Sequence, residues 1–227
     1  MPSDTLYKWV LFGLLITLKL FDSFSAPIST IDTPCGGLTT ITEVNRKTSE
    51  ETISQLHILL NEAKSLAGTS IFEIVKSINN SEMVTFLDKF KFLQTINADE
   101  IKADIDIKTD LAKLFKSNFG KFSELAIYID FAASYADANH VSNVKAVLNK
   151  LWSVLCELQI GTLSQGESIT QYLNTSIISD QFPLVTSSEQ ILFRNYIIIR
   201  DVQENLEQFI LLYKYISVAI KAGILGN

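Results

Sequence analysis

Two cysteines, Cys35 and Cys156, are the residues of this chain best equipped for covalent chemistry, and they lie 121 residues apart. In an oxidising compartment an even pair is expected to bridge, and these two can only bridge each other. Loop closure over that span sets a ceiling of about 5 kcal/mol on what the bridge contributes. The alternative is a pair of free, buried thiols. Other chemistry is thinly represented. His57 and His140 stand alone, and metal binding needs several ligands at defined spacing. No Ser, His and Asp follow the spacing of a hydrolase family, so no catalytic residue, metal or cofactor is expected. Gly161 to Ser168 imitates a phosphate-binding loop, but Glu167 stands where a lysine is needed and its charge repels phosphate. Asp104, Asp106 and Asp110 read as a solvated loop and a helix start, where carboxylates suit the positive helix end.

The elements that must position the cysteines follow from composition. Apolar residues make up 47% of the 227, while only 9 Gly and 4 Pro are present, which favours a helical domain with a full core. The net charge of -6 argues against nucleic acid as a partner. Residues 1–25 read as a signal peptide, with Lys8 ahead of an apolar run from Trp9 to Leu18. Ser23-Phe24-Ser25 offers a cleavage point before Ala26-Pro27, so the mature domain spans 26–227. Lys19 and Asp22 cut the apolar run short of the roughly 20 residues of a membrane span. The alternative is an uncleaved anchor. Glycosylation acceptors at Asn79 and Asn174, both in segments read as loops, fit a secretory route.

Four long helices are predicted. The first starts at Leu38 or Thr48 and runs to Ala67, with Thr48 and Glu51 as a capping box and Gly68 as its stop. Ile53, Leu56, Leu59, Leu60, Ala63 and Leu66 form its apolar stripe. A long connection over 69–106 follows, with a short helical piece from Met83 to Leu93 rich in Phe. The second helix runs from Thr109 to about Tyr135, and Gly120 within it is expected to bend it or admit a neighbour. A link of only Ala136 to Asn139 makes the third helix its antiparallel neighbour. That third helix spans His140 to Gln159, with Gly161 as its stop. A second long connection covers 161–187. The fourth helix begins at Ser187 or Ser188, and Val202, Leu206, Phe209, Tyr213, Ile216 and Ile220 recur at steps of four and three, a bundle seam. It is about 50 Å long at 1.5 Å per residue. Connections in the order long, short, long belong to the all-α, long-chain four-helix bundle of up-up-down-down topology with two crossover loops.

Residues of the third and fourth helices carry a resemblance. Leu151 and Val154-Leu155-Cys156, with Thr33-Pro34-Cys35 ahead of the first helix, resemble the interleukin-6 superfamily of helical cytokines on its leukaemia inhibitory factor and ciliary neurotrophic factor branch. Leu192-Phe193, Ile198-Ile199-Arg200, Val202, Leu206, Gln208 and Phe209 are similar to the last helix of that superfamily. About a third of the chain takes part. The resemblance implies a bridge from the N-terminal segment to the third helix, which Cys35 and Cys156 match. It implies a secreted, monomeric cytokine that gathers a shared glycoprotein 130-like receptor chain and a leukaemia inhibitory factor receptor-like chain. One receptor epitope would lie on exposed faces of the first and third helices. Another would lie at the start of the fourth, where an exposed Phe and a Lys three residues on form the anchor. Phe193 fits the Phe, and Tyr196 stands where the Lys would be. The alternative is that Phe193 and Tyr196 pack beneath the second connection. Trp152 reads as core or boundary packing.

The resulting expectation is a non-catalytic, secreted signalling protein whose mature chain neither inserts into membranes nor carries a cofactor. The rival is a secreted helical carrier of a lipid or other apolar ligand, with the Phe-rich connection and Ile197 to Ile199 lining a pocket. A membrane-anchored structural protein is a third option, and a mature N-terminus near Ala26 excludes it.

Overall fold

A computed structural model describes residues 34–35, 47–104, 111–169, 185 and 187–223. The signal-peptide region, Asp106, Asp110 and Asn174 lie outside them. The described residues are all-helical: α1 (Ser49–Ile78), α2 (Ser81–Leu87), α3 (Ala98–Asp104), α4 (Leu111–Tyr135), α5 (Val141–Ser164) and α6 (Ser188–Lys221). None of these helices is long and apolar enough to cross a membrane.

Local chemistry sets the starts of α1 and α6. Thr48 Oγ1 accepts from the Glu51 N–H at 3.2 Å, and Glu51 Oε2 accepts from the Thr48 N–H at 2.8 Å. That closes the capping box and satisfies two donors the helix cannot. The Thr48 backbone and hydroxyl hydrogen bonds hold the Glu51 carboxyl below its ordinary value. Ser187 caps α6 by accepting from Gln190 N–H at 3.2 Å.

The ends of α1 and α5 differ from expectation. α1 does not stop at Gly68; it continues for ten residues, burying Ser70 and Ile74, and ends at Asn79 in the left-handed region with φ 46°. α5 likewise runs through Gly161 to Ser164, and the left-handed glycine is Gly166, with φ 81°. Both glycines mark close helix approaches. A Cβ on Gly161 would lie 2.8 Å from Thr52 Cγ2 and 3.0 Å from Phe115 Cε2; one on Gly68 would lie 3.0 Å from Gln203 Nε2. Gly120, expected to bend its helix or admit a neighbour, has nothing within 4 Å of its Cβ position.

α1 packs against α5 and α6, and α4 packs against the same two. Paired side chains give the directions. From α1 to α5 the pairs are Ser49 with Gln165 (3.0 Å), Glu62 with Lys150 (2.7 Å) and Ser77 with His140 (3.0 Å). Between α1 and α6, Glu50 meets Lys221 at 3.7 Å and Lys64 meets Glu207 at 2.9 Å. From α4 to α6, Asn118 donates to the Tyr213 hydroxyl at 2.9 Å, the Phe122 and Phe209 rings lie 4.1 Å apart, and Asn195 donates to Ala132 O at 3.1 Å. In each set one number rises as the other falls, so each pair of helices is antiparallel. All six seam residues of α6 are buried. Each is worth roughly 1.5–3 kcal/mol of burial.

The first connection holds two short helices, Ser81–Leu87 and Ala98–Asp104, where one piece over Met83 to Leu93 was predicted. Its Phe86, Phe90 and Phe92 lie half-buried against the core. Buried backbone donors and acceptors in such a segment need partners, and α6 supplies them.

Candidate functional site

The middle of α6 carries a column of polar side chains facing the first connection, Arg200, Asp201 and Asn205 buried and Gln208 partly so. Arg200 Nη1 donates to Leu87 O at 2.9 Å, and its Nη2 donates to Phe90 O and, at 2.6 Å, to Asp201 Oδ1. Asp201 Oδ2 accepts from the N–H groups of Phe92 (2.7 Å) and Leu93 (3.1 Å). One turn on, Asn205 Oδ1 accepts from Ile96 N–H at 2.9 Å, and Gln208 Oε1 from Ala98 N–H at 3.3 Å. Burial alone would weaken the Arg200 cation, but the carboxylates of Asp201, Asp88 and Glu204 together outweigh it and keep the guanidinium more basic than usual. This column fixes the path of the connection across α6.

Phe193 and Tyr196 separate here. Phe193 is half-buried against the core and keeps part of its ring accessible. Tyr196 is inside the fold, 4% exposed, and its hydroxyl donates to Asp88 Oδ1 at 2.6 Å. Burial, with the Asp88 carboxylate second, pushes that phenol well above its ordinary range. Tyr196 is therefore not an exposed side chain; Asp88 of the first connection holds its hydroxyl, and most of the second connection lies outside the described residues.

Between them lies Arg194, which sequence reasoning passed over. Its guanidinium carbon stands 4.5 Å from the Phe131 ring centroid and 5.0 Å from that of Tyr135, one turn apart on α4. Nε and Nη1 are buried without a hydrogen-bond partner. Burial pulls this guanidinium down to about 10, opposed only by Tyr135. Arg194 and Asn195 interrupt an apolar run from Ile191 to Ile199, but that interruption does not say which rings will face the guanidinium.

Cys35 and Cys156 form a disulfide, with Cα atoms 4.9 Å apart. The next residue of α5, buried Glu157, takes Lys47 at 2.8 Å. The segment ahead of α1 is thus tied to adjacent positions of α5 by a covalent bond and an ion pair. The acceptor Asn79 is exposed at the corner between α1 and α2. Trp152 is half-buried against the core.

Large apolar side chains reach solvent on two helices: Ile58 and Phe72 on α1, and Leu211, Tyr215 and Val218 on α6. They sit off the buried stripes of their helices, and that departure from the stripe is the sequence signal that marks them. Contiguous exposed apolar surface is what partner-binding faces present.

The two histidines behave differently. His57 lies on the α1 surface beside Asn61. His140 is 6% exposed and bridges Ser77 Oγ (3.0 Å from Nε2) and Asp137 Oδ1 (2.8 Å from Nδ1). The structure therefore assembles a Ser, a His and an Asp that sequence spacing did not reveal. Among the described residues no group of three or more His, Cys, Asp or Glu could hold a metal ion. The imitation phosphate loop dissolves, since Gly161 is inside α5 and Glu167 pairs with Lys116.

Comparison of the chain with protein-family models, with curated proteins and with solved structures finds no match.

Proposed function

We propose that this chain is a secreted helical cytokine of the interleukin-6 superfamily type, a four-helix bundle of up-up-down-down topology that clusters cell-surface receptors. The observation that carries the reading is the order of the cross-helix pairs. α1 runs against both α5 and α6, α4 runs against α6, and the short link from Ala136 to His140 turns α5 back along α4, as in a bundle whose first and third connections are long crossovers. The Cys35–Cys156 bridge supports it, because it pins the segment before α1 to the third long helix. Exposed Ile58 and Phe72 on α1 offer apolar contact area for one receptor chain, and Phe193 at the start of α6 for another. One turn on, Tyr196 is fixed to Asp88 and holds this part of α6 against the first connection. Two patches on one rigid body make the second contact effectively intramolecular, so each can be weak alone. Secretion rests on the N-terminal apolar run and on the bridge, which persists in oxidising compartments.

The carrier reading receives less support. Ile197, Ile198 and Ile199 are packed into the core. A cavity beside the start of α6 holds about 90 Å³, and a cleft of about 650 Å³ at the start of α1 is lined by polar and charged side chains, Lys47, Thr48, Glu50, Glu51, Ser54 and Gln55, which do not suit an apolar ligand. Ligand pockets for drug-sized molecules run to roughly 300–1,000 Å³.

The test applies purified protein to cells bearing glycoprotein 130-like and leukaemia inhibitory factor receptor-like chains. Phosphorylation of the downstream transcription factor is expected, and Phe193→Ala should lower potency at least about tenfold, a hot-spot loss, with helical content unchanged. Full potency in that variant removes the α6 anchor. Silence of the wild-type protein on all receptor-bearing cells, with tight binding of a fluorescent fatty acid, would favour the carrier.

A further inference from the structure

The turn between α4 and α5 and the last turn of α1 meet at one end of the molecule, and there Ser77, His140 and Asp137 stand in the geometry of an acyl-transfer relay. We propose that they form a hydrolytic centre for esters of short carboxylic acids, an activity separate from receptor binding.

The placement is built by the backbone. Asp137 Oδ1 accepts from the N–H groups of Asn139 (2.9 Å) and His140 (3.1 Å), which folds the turn and sets His140 at the N-cap of α5. The same oxygen lies 2.8 Å from His140 Nδ1. Burial pushes the Asp137 carboxyl up, but the His140 ring and the two backbone N–H groups outweigh it and hold it below its ordinary value. A carboxylate only accepts, so the neutral ring tautomer that fits this contact carries its proton on Nδ1 and turns its Nε2 lone pair toward Ser77. Nε2 faces Ser77 Oγ at 3.0 Å, across 63 residues of sequence. Ser77 itself is exposed, so an ester can reach it. Such a relay is recognised by geometry and role, not by sequence order.

Two further features fit the charges that develop. Ser77 lies in the last turn of α1, whose negative end offsets the positive N-terminus of α5 at which His140 sits when the ring takes a proton. A cavity of about 90 Å³ on the His140 side of the relay is lined by Ile74, one turn before Ser77, with Tyr135, Ile191 and Leu192, and by Asp137, His140, Ser188 and Asn195; Ser77 itself does not line it. Ser188 opens α6, where Ser187 takes the N–H groups of Gln190 and Ile191, so what this end offers an anion is the positive end of the helix. That suits an oxyanion. The cavity equals about three waters of liquid volume, which limits the acyl group to a short chain.

The steps balance without a further reagent. Ser77 Oγ attacks the ester carbonyl carbon while His140 Nε2 takes its proton. The tetrahedral intermediate collapses, the ester C–O bond breaks, and the alcohol departs with the proton from Nε2. Water then attacks acyl-Ser77, giving its proton to Nε2. Ser77 Oγ leaves, regains the proton, and the carboxylic acid is released.

The test incubates the purified protein with 4-nitrophenyl acetate, butyrate and octanoate, and separately with a fluorophosphonate probe followed by peptide mass spectrometry. Saturable turnover of acetate and butyrate, weaker on octanoate, and probe attached to Ser77 are expected. Ser77→Ala and His140→Gln should each lower kcat/KM about 10²-fold or more. Ser77→Ala changes an exposed hydroxyl, and circular dichroism checks that both variants stay folded. Asp137 is a positioning residue, so Asp137→Asn should lower kcat and distort its pH profile. Non-saturable hydrolysis, undiminished rate in folded Ser77→Ala, or probe found only elsewhere would each overturn the proposal.

Discussion

Replacing Gly161 by alanine separates helix propensity from packing. In a helix interior the change is worth about 0.8–1.0 kcal/mol in favour of alanine. In this fold, however, the new methyl would lie 2.8 Å from Thr52 Cγ2 of α1 and 3.0 and 3.1 Å from the Phe115 ring of α4. Thr52 and Phe115 are themselves fully buried, so neither can swing away. Overpacking of this kind costs about 1–3 kcal/mol. The net expectation for Gly161→Ala is a loss between roughly 0 and 2 kcal/mol, set by those opposing values. Gly120→Ala is the matched control, since nothing lies within 4 Å of its Cβ position. It should gain about 1 kcal/mol. The gap between the two variants isolates the close approach of α5 to α1 and α4, and should be about 1–3 kcal/mol. In a domain of this size that is about 2–4 °C in Tm per kcal/mol. Urea unfolding followed by circular dichroism gives both values, provided the m-values agree. Thr52→Ser removes the nearest methyl and should recover part of the Gly161→Ala loss in a double-mutant cycle. If Gly161→Ala matches or exceeds Gly120→Ala in stability, the three-helix contact at Gly161 is wrong.

Three other outcomes are expected. Cys35→Ser should lower Tm and expose the segment ahead of α1 to protease, with a ceiling of about 5 kcal/mol from loop closure; unchanged Tm and digestion would show that the bridge contributes nothing. Arg194→Met removes a buried cation with two unpaired N–H groups, and should raise stability by about 1 kcal/mol once the lost stacking, itself about 1 kcal/mol, is subtracted; a marked loss in urea unfolding would refute the accounting. The depressed carboxyl of Asp137 contributes stability that is fully present above the unfolded carboxylate value and is lost as pH falls through the folded one. The stability difference between wild type and Asp137→Asn should therefore shrink below about pH 4, and a difference that grows on acidification would reverse the sign.

Local signals were legible where the information is local. Thr48 with Glu51, and Ser187, lie within one turn of the donors they satisfy, so type and spacing suffice. The alternating steps of Val202 through Ile220 mark a buried face whatever lies opposite, and all six are buried. Gly68 and Gly161 misled, because a glycine permits both a helix stop and a close helix contact. Which of the two applies depends on Gln203, Thr52 and Phe115, all distant in sequence. The depth of Tyr196 was equally hidden, since it depends on Asp88 arriving from the first connection.

The sequence alone determined that this protein is helical, the capping residues Thr48 and Glu51 and the Ser187 region that opens the last helix, which faces the long helices bury and which two cysteines can pair. Those properties follow from periodicity, capping and elimination, which act within a few residues or within a closed set of partners. Only the tertiary structure decided where α1 and α5 end, that the column from Arg200 to Gln208 holds the first connection, that Arg194 is a stacked and unpaired cation, and that Ser77 meets His140 and Asp137. Each of these depends on which side chain arrives from another helix, and that is fixed by how the helices pack, not by residue type.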